Sequence, residues 1–461
     1  MTQTVQRVQT TQDRPWESVA HIDVESGTGG SSSMPDVIIS GDGTQQPIEG
    51  FGACFNELGW TSLSVLPEAV RVGILEELFA PGIGANLSLC RMPIGANDFS
   101  RDWYSYDETP GDVGLDDFSI ANDHETLIPF IRAARAQRPD LRLWASPWSP
   151  PTWMKTNGHY AGSQPSAFHG IENGLRDDQV GHEGTDMFRT DDEHLSAYAA
   201  YFGKFIDAYR AEGIDIGMVM PQNEYNSAQV FPSCTWTPDG FRRFLRHLGP
   251  EMRQRGVEIF LGTLERADDR LIGDVLDDED AAAFVDGAGL QWAGSRAVSG
   301  LHRLHPDLRI YQTEQECGDG RNDWRHARHA WNIMKTFFRN GANAYMYWNI
   351  SLLEGGVSRW GWAQNSLVVV DPETATHRFT HEYHLLKHVS AFVQPGAHHL
   401  DTLSWTGYEN QLAFRNPDGS TVIVIQNDLG EDDTMQIMVD GRVFRPTLPA
   451  DSFTTFVIPA A

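Results

Sequence analysis

The sequence predicts an α/β fold in which a (β/α)8 TIM barrel carries a side β-sandwich built from strands of both termini. Between residues 48 and 392, short apolar runs alternate with amphipathic helical stretches, and eight such strand-then-helix units are typical of a closed barrel. After residue 392 the helical spacing stops, and short strands separated by turns follow, as in a β-sandwich.

The length of 461 residues exceeds what one small core accommodates. We therefore divide the chain into a flexible start with an edge strand of the sandwich (residues 1–46), the barrel (residues 47–392) and the rest of the sandwich (residues 393–461). A Gly/Ser run at residues 27–33 precedes the edge strand around Val37. That strand is expected to pair with the C-terminal strands, so that the barrel is inserted into the smaller domain.

Each barrel strand is predicted from a short apolar run bounded by turn residues. The eight runs are residues 51–55, 87–94, 141–145, 214–219, 257–264, 289–292, 308–313 and 344–349.

The helices between the strands are predicted from apolar side chains at helical spacing, as at Leu75, Leu78 and Phe79. The helical stretches are residues 67–79, 127–136, 195–209, 238–248, 271–284, 324–338 and 381–392. The sandwich strands are predicted at residues 36–39, 403–405, 411–414, 421–426, 435–439 and 454–458.

The charge of the chain restricts its partners. A net charge of −28 repels both nucleic acid and an anionic membrane surface, so we expect no nucleic acid partner and a neutral substrate. No window approaches the roughly 18 apolar residues of a membrane span, and residues 1–33 lack the apolar core of a signal peptide. The oligomeric state is left open.

The four cysteines, Cys54, Cys90, Cys234 and Cys317, lie far apart without a CxxC pair, which argues against a disulfide scaffold and a zinc ribbon. Reduced thiols and the absence of an export signal predict a cytoplasmic protein.

Histidines at helical spacing, His381 with His384 and His388, or His326 with His329, lack the HExxH form and paired carboxylates of a metal site. The chain has no Walker loop, GxGxxG or GxSxG motif. We expect neither a metal nor a cofactor.

Polar and aromatic residues lie at or near the ends of the predicted strands, where the active sites of such barrels lie. They are Arg91 and Asp98 near the end of strand two, Trp148 after strand three, Asn223 and Glu224 after strand four, Glu314 and Glu316 after strand seven, and Trp348 with Asn349 at the end of strand eight. Two carboxyl groups across a barrel mouth are what glycoside hydrolysis requires. Tryptophan faces stack on sugar rings, and Asp, Asn and Arg bind their hydroxyls.

Several segments resemble glycoside hydrolase family 30, and the likeness to its acid β-glucosidase (glucosylceramidase) branch runs from about residue 48 to residue 371. The block Ala-Ser-Pro-Trp-Ser-Pro-Pro-Thr-Trp-Met-Lys-Thr-Asn-Gly at residues 145–158 is the most specific of them. The others are Ile-Glu-Gly-Phe-Gly at 48–52, Gln-Asn-Glu at 222–224, Thr-Glu at 313–314 and Tyr-Trp-Asn at 347–349.

The resemblance implies a retaining β-glycosidase in which Glu224 is the general acid/base and Glu314 the nucleophile. It further implies that Asn223 bonds the sugar 2-hydroxyl and that Arg91 orients the nucleophile. Asp98, Trp148 and Trp348 match residues of the sugar-binding subsite. Glu316 is an alternative nucleophile. It lies two positions after Glu314, and residues two apart on a strand point to the same face.

The resemblance is weaker around the sugar. Tyr225 replaces a proline, and Leu-Gln-Trp-Ala at residues 290–293 lacks the aromatic residues that the lysosomal enzyme has there. A β-glucoside is the first expectation, and a β-fucoside, β-galactoside or β-xyloside are alternatives, as is transglycosylation. A catalytically silent carbohydrate-binding protein is the alternative outside the enzymes. The loops 98–117 and 154–188 are long enough to close one end of the groove. A closed pocket would favour exo-action on a small oligosaccharide or glycoside, whereas a polymer or lipid-linked substrate would need export or an open cleft, so exo- and endo-action both stay open.

Overall fold

The computed structural model describes residues 4–23, 25–26, 34–166, 171–404 and 408–460. The predicted Gly/Ser run at 27–33, Trp405 and part of the loop 154–188 lie outside these residues. The predicted fold class is confirmed: a closed barrel of eight parallel strands is joined to a sheet drawn from both ends of the chain.

The barrel strands follow one another around the barrel in chain order, and the last pairs with the first. They are β5 (Gly50–Cys54), β6 (Leu89–Pro93), β7 (Arg142–Ser146), β8 (Met218–Val219), β9 (Glu258–Leu264), β10 (Gly287–Gln291), β11 (Arg309–Glu314) and β12 (Ala342–Asn349). The fourth strand is much shorter than the predicted 214–219, because only two of those residues pair with both neighbours.

The helices that cover the barrel bury one apolar face against the strands. They are α1 (Glu57–Ser64), α2 (Glu68–Phe79), α3 (Leu127–Gln137), α4 (Asp192–Ala211), α5 (Pro238–Arg255), α6 (Arg270–Leu276), α7 (Glu279–Ala282), α8 (Val298–Leu304), α9 (Trp324–Arg339) and α10 (His381–Ser390). The single helix predicted over 271–284 is two short helices, α6 and α7.

Helix α5 shows how local sequence sets these bounds. The Thr237 hydroxyl accepts a hydrogen bond from the amide of Gly240 and caps the helix, with Pro238 at its first position. At the other end, Gly256 has a φ of 69°, a left-handed conformation that glycine adopts without strain. The helix thus begins and ends where the sequence provides caps.

Ten strands outside the barrel form one continuous sheet, in the order β2-β1-β23-β18-β17-β16-β4-β20-β21-β3. Phe444 and Phe456, six positions apart in this order, bring their rings to 5.3 Å, so the sheet folds over on itself as a sandwich. Its strands are β1 (Thr4–Thr11), β2 (Glu17–Asp23), β3 (Glu25–Ser26), β4 (Val37–Pro47), β16 (His398–Leu403), β17 (Gln411–Arg415), β18 (Thr421–Asn427), β20 (Ile437–Val439), β21 (Arg442–Phe444) and β23 (Ser452–Ile458).

Two small sheets complete the described strands. A three-stranded sheet beside the barrel mouth comprises β13 (Ser351–Leu353), β14 (Val368–Asp371) and β15 (Thr376–Phe379), and a two-stranded sheet pairs β19 (Asp433–Thr434) with β22 (Thr447–Leu448).

The expectation of a flexible start is wrong for residues 4–23, which form β1 and β2. Strand β1 pairs with β23 and buries Val5 and Val8. The residues around these two valines are polar, so the sequence pattern alone does not indicate a strand here. The partner strand lies at the other end of the chain. The strand at Val37 is also not an edge strand, since β4 lies between β16 and β20.

Helix α10 joins the barrel to the sandwich through His388. Its two ring nitrogens lie 2.8 Å from the hydroxyls of Thr10 on β1 and Thr455 on β23, and burial lowers its pKa to about 3. Among the described residues, no helix combines the length and the hydropathy needed to cross a bilayer.

Candidate active site

The structure brings the seven candidate residues to the end of the barrel where the strands finish. Glu314 is the last residue of β11, and Trp348 lies near the end of β12. Asn223 and Glu224 follow β8, Trp148 follows β7, and Asp98 lies in the loop after β6. Each is thereby held by a strand that the barrel makes rigid.

Arg91 occupies the centre of the site. It lies on β6 two positions after Leu89, which belongs to the apolar cluster inside the barrel. Because successive strand residues alternate between the two faces, Arg91 also points into the barrel. Its Nη1 donates to Oε2 of Glu314 at 2.6 Å, and its Nη2 donates to Oδ1 of Asn223 at 2.6 Å. Its guanidinium lies 4.2 Å from the ring centre of Trp148. Arg91 therefore fixes three candidate residues at once.

The side-chain oxygen of Asn223 is fully used by the protein. Besides Arg91, it accepts hydrogen bonds from the Thr263 hydroxyl at 3.0 Å and from the Gln291 amide at 2.9 Å. Three donors leave no free lone pair on this oxygen, so only the amide nitrogen of Asn223 can bind a sugar.

Glu224 is held in a less common backbone conformation with φ 44°. Its amide donates to the Thr263 hydroxyl at 3.1 Å, and its Oε2 accepts from the side-chain amide of Gln229 at 3.0 Å. Gln229 also donates to the hydroxyl of Ser227 at 2.6 Å. A neutral amide is thus the hydrogen-bond partner of this carboxyl.

Glu224 and Glu314 are both buried, but their partners differ in charge. Burial raises the pKa of Glu224 to about 8, and the negative charges of Glu265 and Glu314 add to the rise. Burial also raises the pKa of Glu314, but the Arg91 guanidinium opposes that rise. When the two carboxyls share one proton, it resides on Glu224, because only Glu314 has a cation as partner.

Asp98 and Trp348 present buried polar atoms without a protein partner. These are Oδ1 of Asp98 and Nε1 of Trp348, and the ring of Trp348 lies 5.3 Å from that of Trp148. Burial, followed by the negative charge of Glu224, raises the pKa of Asp98 to about 8. Buried polar groups are rarely left unpaired, so these atoms are suited to the hydroxyls of a ligand.

A cavity of about 290 Å3 opens above these residues. Glu224, Glu314 and Asp98 line it, together with Glu265 and Gln229. This volume is at the lower end of the range for small-molecule sites, and it suits one or two sugar rings. The cavity thus brings together two buried carboxyls, one paired with a guanidinium and one bonded to a neutral amide.

Glu316, the rival of Glu314, faces different partners. Its Oε2 lies 2.6 Å from Nε2 of His329, and its side chain is 39% exposed, against 10% for Glu314. The hydrogen bond from His329 lowers its pKa. Among the described contacts of Arg91, Glu314 is the carboxylate partner and Glu316 is not.

Aromatic residues from three loops that follow barrel strands pack against one another. Trp103 stacks on Tyr160 at 5.4 Å and contacts Trp360 at 4.8 Å. The loop that carries Trp103 is anchored by Asp123, whose carboxylate accepts hydrogen bonds from the hydroxyls of Tyr104, Tyr106 and Tyr209. These contacts hold the loop after β6 against those after β7 and β12.

The sequence matches models of both domains of one family. The model of the glycosyl hydrolase family 30 TIM-barrel domain matches residues 48–393, well over half of the chain, and that of the family 30 beta sandwich domain matches residues 403–456. The chain belongs to glycoside hydrolase family 30. It is a glycoside hydrolase, and its substrate is a carbohydrate.

Known relatives of this family 30 enzyme cover most of its length. The endo-1,6-beta-D-glucanase neg1 of Aspergillus fumigatus is 26% identical over 95% of this chain and 90% of its own. The lysosomal acid glucosylceramidase of Mus musculus is 28% identical over 89% of this chain and 81% of its own.

Solved structures share the fold. SrfJ from Salmonella typhimurium superposes with a TM-score of 0.86 at 22% identity, over 99% of this chain and 100% of that one. The endo-beta1,6-glucanase BT3312 has a TM-score of 0.83 at 22% identity, with 99% of both chains covered.

Sequence reasoning missed four residues of this family 30 site. Gln229 and Glu265 line the cavity, while Thr263 and Gln291 hold Asn223. Gln291 also donates to Glu314 at 3.0 Å. Gln291 and Thr263 lie at or near the ends of β10 and β9, so polarity at a strand end was the available signal. Nothing in the sequence distinguishes Gln229 from other loop residues.

The histidines at helical spacing, His326 with His329 and His381 with His384 and His388, are not part of a group with metal-ligand spacing among the described residues. Among the described residues, one group of three has metal-ligand spacing: Asp191, Glu193 and His194 at the start of α4. None of the three lines the cavity, and both acids are exposed.

Proposed function

We propose that this enzyme is a retaining β-glycosidase that acts by double displacement, with Glu224 as general acid/base and Glu314 as nucleophile. The observation that carries the proposal is the difference between two buried carboxyls in one cavity: Glu314 is paired with Arg91, while Glu224 is bonded to a neutral amide. An ionised nucleophile and a protonated acid are the two states that the first step needs.

In the first step, Glu224 gives its proton to the glycosidic oxygen while a carboxylate oxygen of Glu314 attacks the anomeric carbon. The bond to the leaving group breaks, and a covalent glycosyl-enzyme forms. Glu224, now a carboxylate, takes a proton from water, which attacks the same carbon and releases Glu314. Two inversions return the original β-configuration.

The remaining candidate residues have binding roles in this proposal. Arg91 holds Glu314 ionised and oriented, and the amide nitrogen of Asn223 binds the 2-hydroxyl. The unpartnered atoms of Asp98 and Trp348 bind further hydroxyls, and Trp148 packs against the ring.

We propose a β-glucoside as the first substrate to test, because the relatives are named a glucosylceramidase and a β-D-glucanase. A β-fucoside, β-galactoside or β-xyloside differs by one or two groups in the sugar subsite. The aromatic contacts of Trp103 with Tyr160 and Trp360 support a subsite closed at one end, and therefore exo-action on short substrates. The cytoplasmic location stays a prediction.

The test is hydrolysis of nitrophenyl β-glucoside, β-fucoside, β-galactoside and β-xyloside, with the first-formed product anomer followed by NMR. We expect one preferred sugar, released as the β-anomer. Release of the α-anomer would contradict a retaining mechanism. Activity on oligosaccharides alone would contradict exo-action on simple glycosides. An added sugar acceptor distinguishes hydrolysis from transglycosylation by the appearance of a new glycoside.

A further inference from the structure

The outer part of the cavity combines aromatic faces with carboxylates. Phe231, Trp292 and Trp362 line it together with Glu265 and Glu316, and the rings of Phe231 and Trp362 meet at 6.3 Å and nearly at right angles. The described lining includes no lysine or arginine. We call these five residues the outer cluster.

Glu265 places the outer cluster on the side of the leaving group. Its carboxyl lines the same cavity as Glu224, where its negative charge helps to raise the pKa of Glu224, and Gln229, which binds Glu224, lines that cavity too. In the proposed function, on which this inference rests, Glu224 contacts the glycosidic oxygen. Residues beside Glu224 therefore border the group that departs.

The cation nearest to Glu265 does not neutralise this side. Arg266 pairs with Glu265 through one terminal nitrogen and with Glu183 through the other. One guanidinium is thus shared between two carboxylates, which leaves a net negative charge. Attraction and repulsion are stronger in an enclosed site than in bulk water.

Glu316 adds a second negative charge nearer to solvent. Its carboxylate is 39% exposed and lies 2.6 Å from the ring of His329, so it is held in place at the cavity wall. The aromatic rings of the outer cluster act in the same direction as its negative charges, because a ring face attracts a cation and disfavours an anion.

We infer that the outer cluster selects the leaving group by charge: the enzyme prefers glycosides with a cationic aglycone, accepts neutral ones, and rejects those that carry a carboxylate, sulfate or phosphate. Glu265 and Glu316 are the specificity-determining residues. The aromatic side chains accept the apolar part of the same group.

Three aryl β-glycosides of one sugar test this, using the sugar that the nitrophenyl panel identifies. Their phenols have closely similar acidity and carry an aminomethyl, a carboxamide or a carboxylate group. We expect kcat/KM to fall about tenfold in total from cation to anion at low ionic strength, and the ratio to shrink in roughly 0.5 M salt because exposed charges are screened.

Two variants assign the preference to the outer cluster. Glu265→Gln and Glu316→Gln should each reduce the ratio of kcat/KM for cationic over anionic substrate by at least about threefold. Glu354→Gln is the matched control, because Glu354 is also paired with an arginine, Arg378, but lies outside the cavity lining; its ratio should not change.

The outcomes separate the inference from the proposed function. Equal kcat/KM values for all three glycosides, or a preference for the anion, would overturn the inference while turnover of the neutral glycoside upholds the function. A ratio that persists in both variants would also overturn it. Failure to hydrolyse the neutral glycoside would contradict the proposed function, and this inference with it.

Discussion

A neutral amide and a guanidinium make two chemically identical side chains behave differently. Gln229 donates to one oxygen of Glu224, so the proton of the neutral acid must reside on the other oxygen. Arg91 donates to Glu314 instead and favours its ionised form. The roles proposed for the two glutamates follow from these contacts more than from their burial, which is nearly the same.

Gln229→Met removes the hydrogen bond to Glu224 at little change in size. Because that bond stabilises the ionised form, we expect the pKa of Glu224 to rise further and the alkaline limb of kcat/KM to move to higher pH. The measurement is the pH dependence of kcat/KM on a nitrophenyl glycoside. Gln364→Met is the control, since Gln364 lines the same cavity but binds Asn349; its alkaline limb should stay in place.

Glu224→Gln keeps the shape of the acid and removes its proton. We expect hydrolysis of a glycoside with a poor leaving group to slow by roughly 10²–10⁴-fold and that of a nitrophenyl glycoside far less, because a good leaving group departs without protonation. Steady-state kinetics on the two substrates measures the difference. Equal losses on both would contradict the assignment of Glu224 as the acid.

Glu314→Ala removes the proposed nucleophile and leaves a space beside the anomeric carbon. We expect turnover to be abolished and added azide to restore part of it, with an α-glycosyl azide as product, since one displacement inverts. Product analysis by NMR is the measurement. Full activity in Glu314→Ala, or loss of activity in Glu316→Gln with the same azide rescue, would move the nucleophile to Glu316.

At the scale of elements, the sequence predicts best what depends on local pattern. Seven of the barrel strands and most of the long helices lie within a few residues of their predicted bounds, because apolar runs and helical spacing are properties of neighbouring residues. Helix α5 is the exception among the long helices, since it continues to Arg255, seven residues beyond its predicted end. Strand β8 and the helix pair α6 and α7 were predicted longer than they are, since periodicity does not reveal where pairing stops. Strands β1 and β2 were missed because polar residues predominate in both and because the second partner of β1, β23, is distant in sequence.

In the active site, too, the sequence predicts the residues that local pattern determines and misses those that only the folded chain brings together. The seven candidate residues converge because each is fixed by the end of a strand or by a specific motif. Gln229 and Glu265 escaped prediction because their importance arises from which carboxyl they approach in space. Only the folded chain brings Gln229 to Glu224, or Arg266 between two glutamates.

The loop after β6 provides a test of how elements hold the site. Asp123→Leu would leave three buried tyrosine hydroxyls without their acceptor, at a cost of roughly 3–5 kcal/mol by the usual penalty for unpaired buried groups. We expect a lower melting temperature and a higher KM, because the same loop carries Asp98. Asp123→Asn keeps an acceptor and should lose less in both measurements; equal losses would argue against the anchor.

At the scale of the whole molecule, buried ionisable groups set two opposing pH dependences. Burial lowers the pKa of His388 to about 3 and those of His384 and His399 to about 4. Their folded pKa lies below the unfolded one, so stability is lost as pH falls below about 6.5. Burial raises the pKa of Glu224 to about 8, so the stability that this group contributes is lost as pH rises from about 4.5 to 8.

Glu224→Gln should therefore stabilise the protein at alkaline pH. Above pH 8 the wild-type folded state carries a buried charge that the variant lacks, while near pH 4.5 both are neutral. We expect the melting temperature of the variant to exceed that of the wild type by roughly 2–5 °C at pH 8.5, with the difference vanishing near pH 4.5. A difference that is independent of pH would contradict this origin.

Strand β1 pairs with β23 across almost the full length of the chain, Gln6 opposite Val457. On the ribosome, at roughly 5–20 residues per second, β1 waits on the order of 20–90 s for this partner to emerge. The barrel can close during that interval, whereas the sandwich cannot. Messages truncated near their 3′ end would yield a folded barrel whose N-terminal hairpin of β1 and β2 lacks the partner strand β23, a species that a cell's quality control would recognise by the exposed edge of β1.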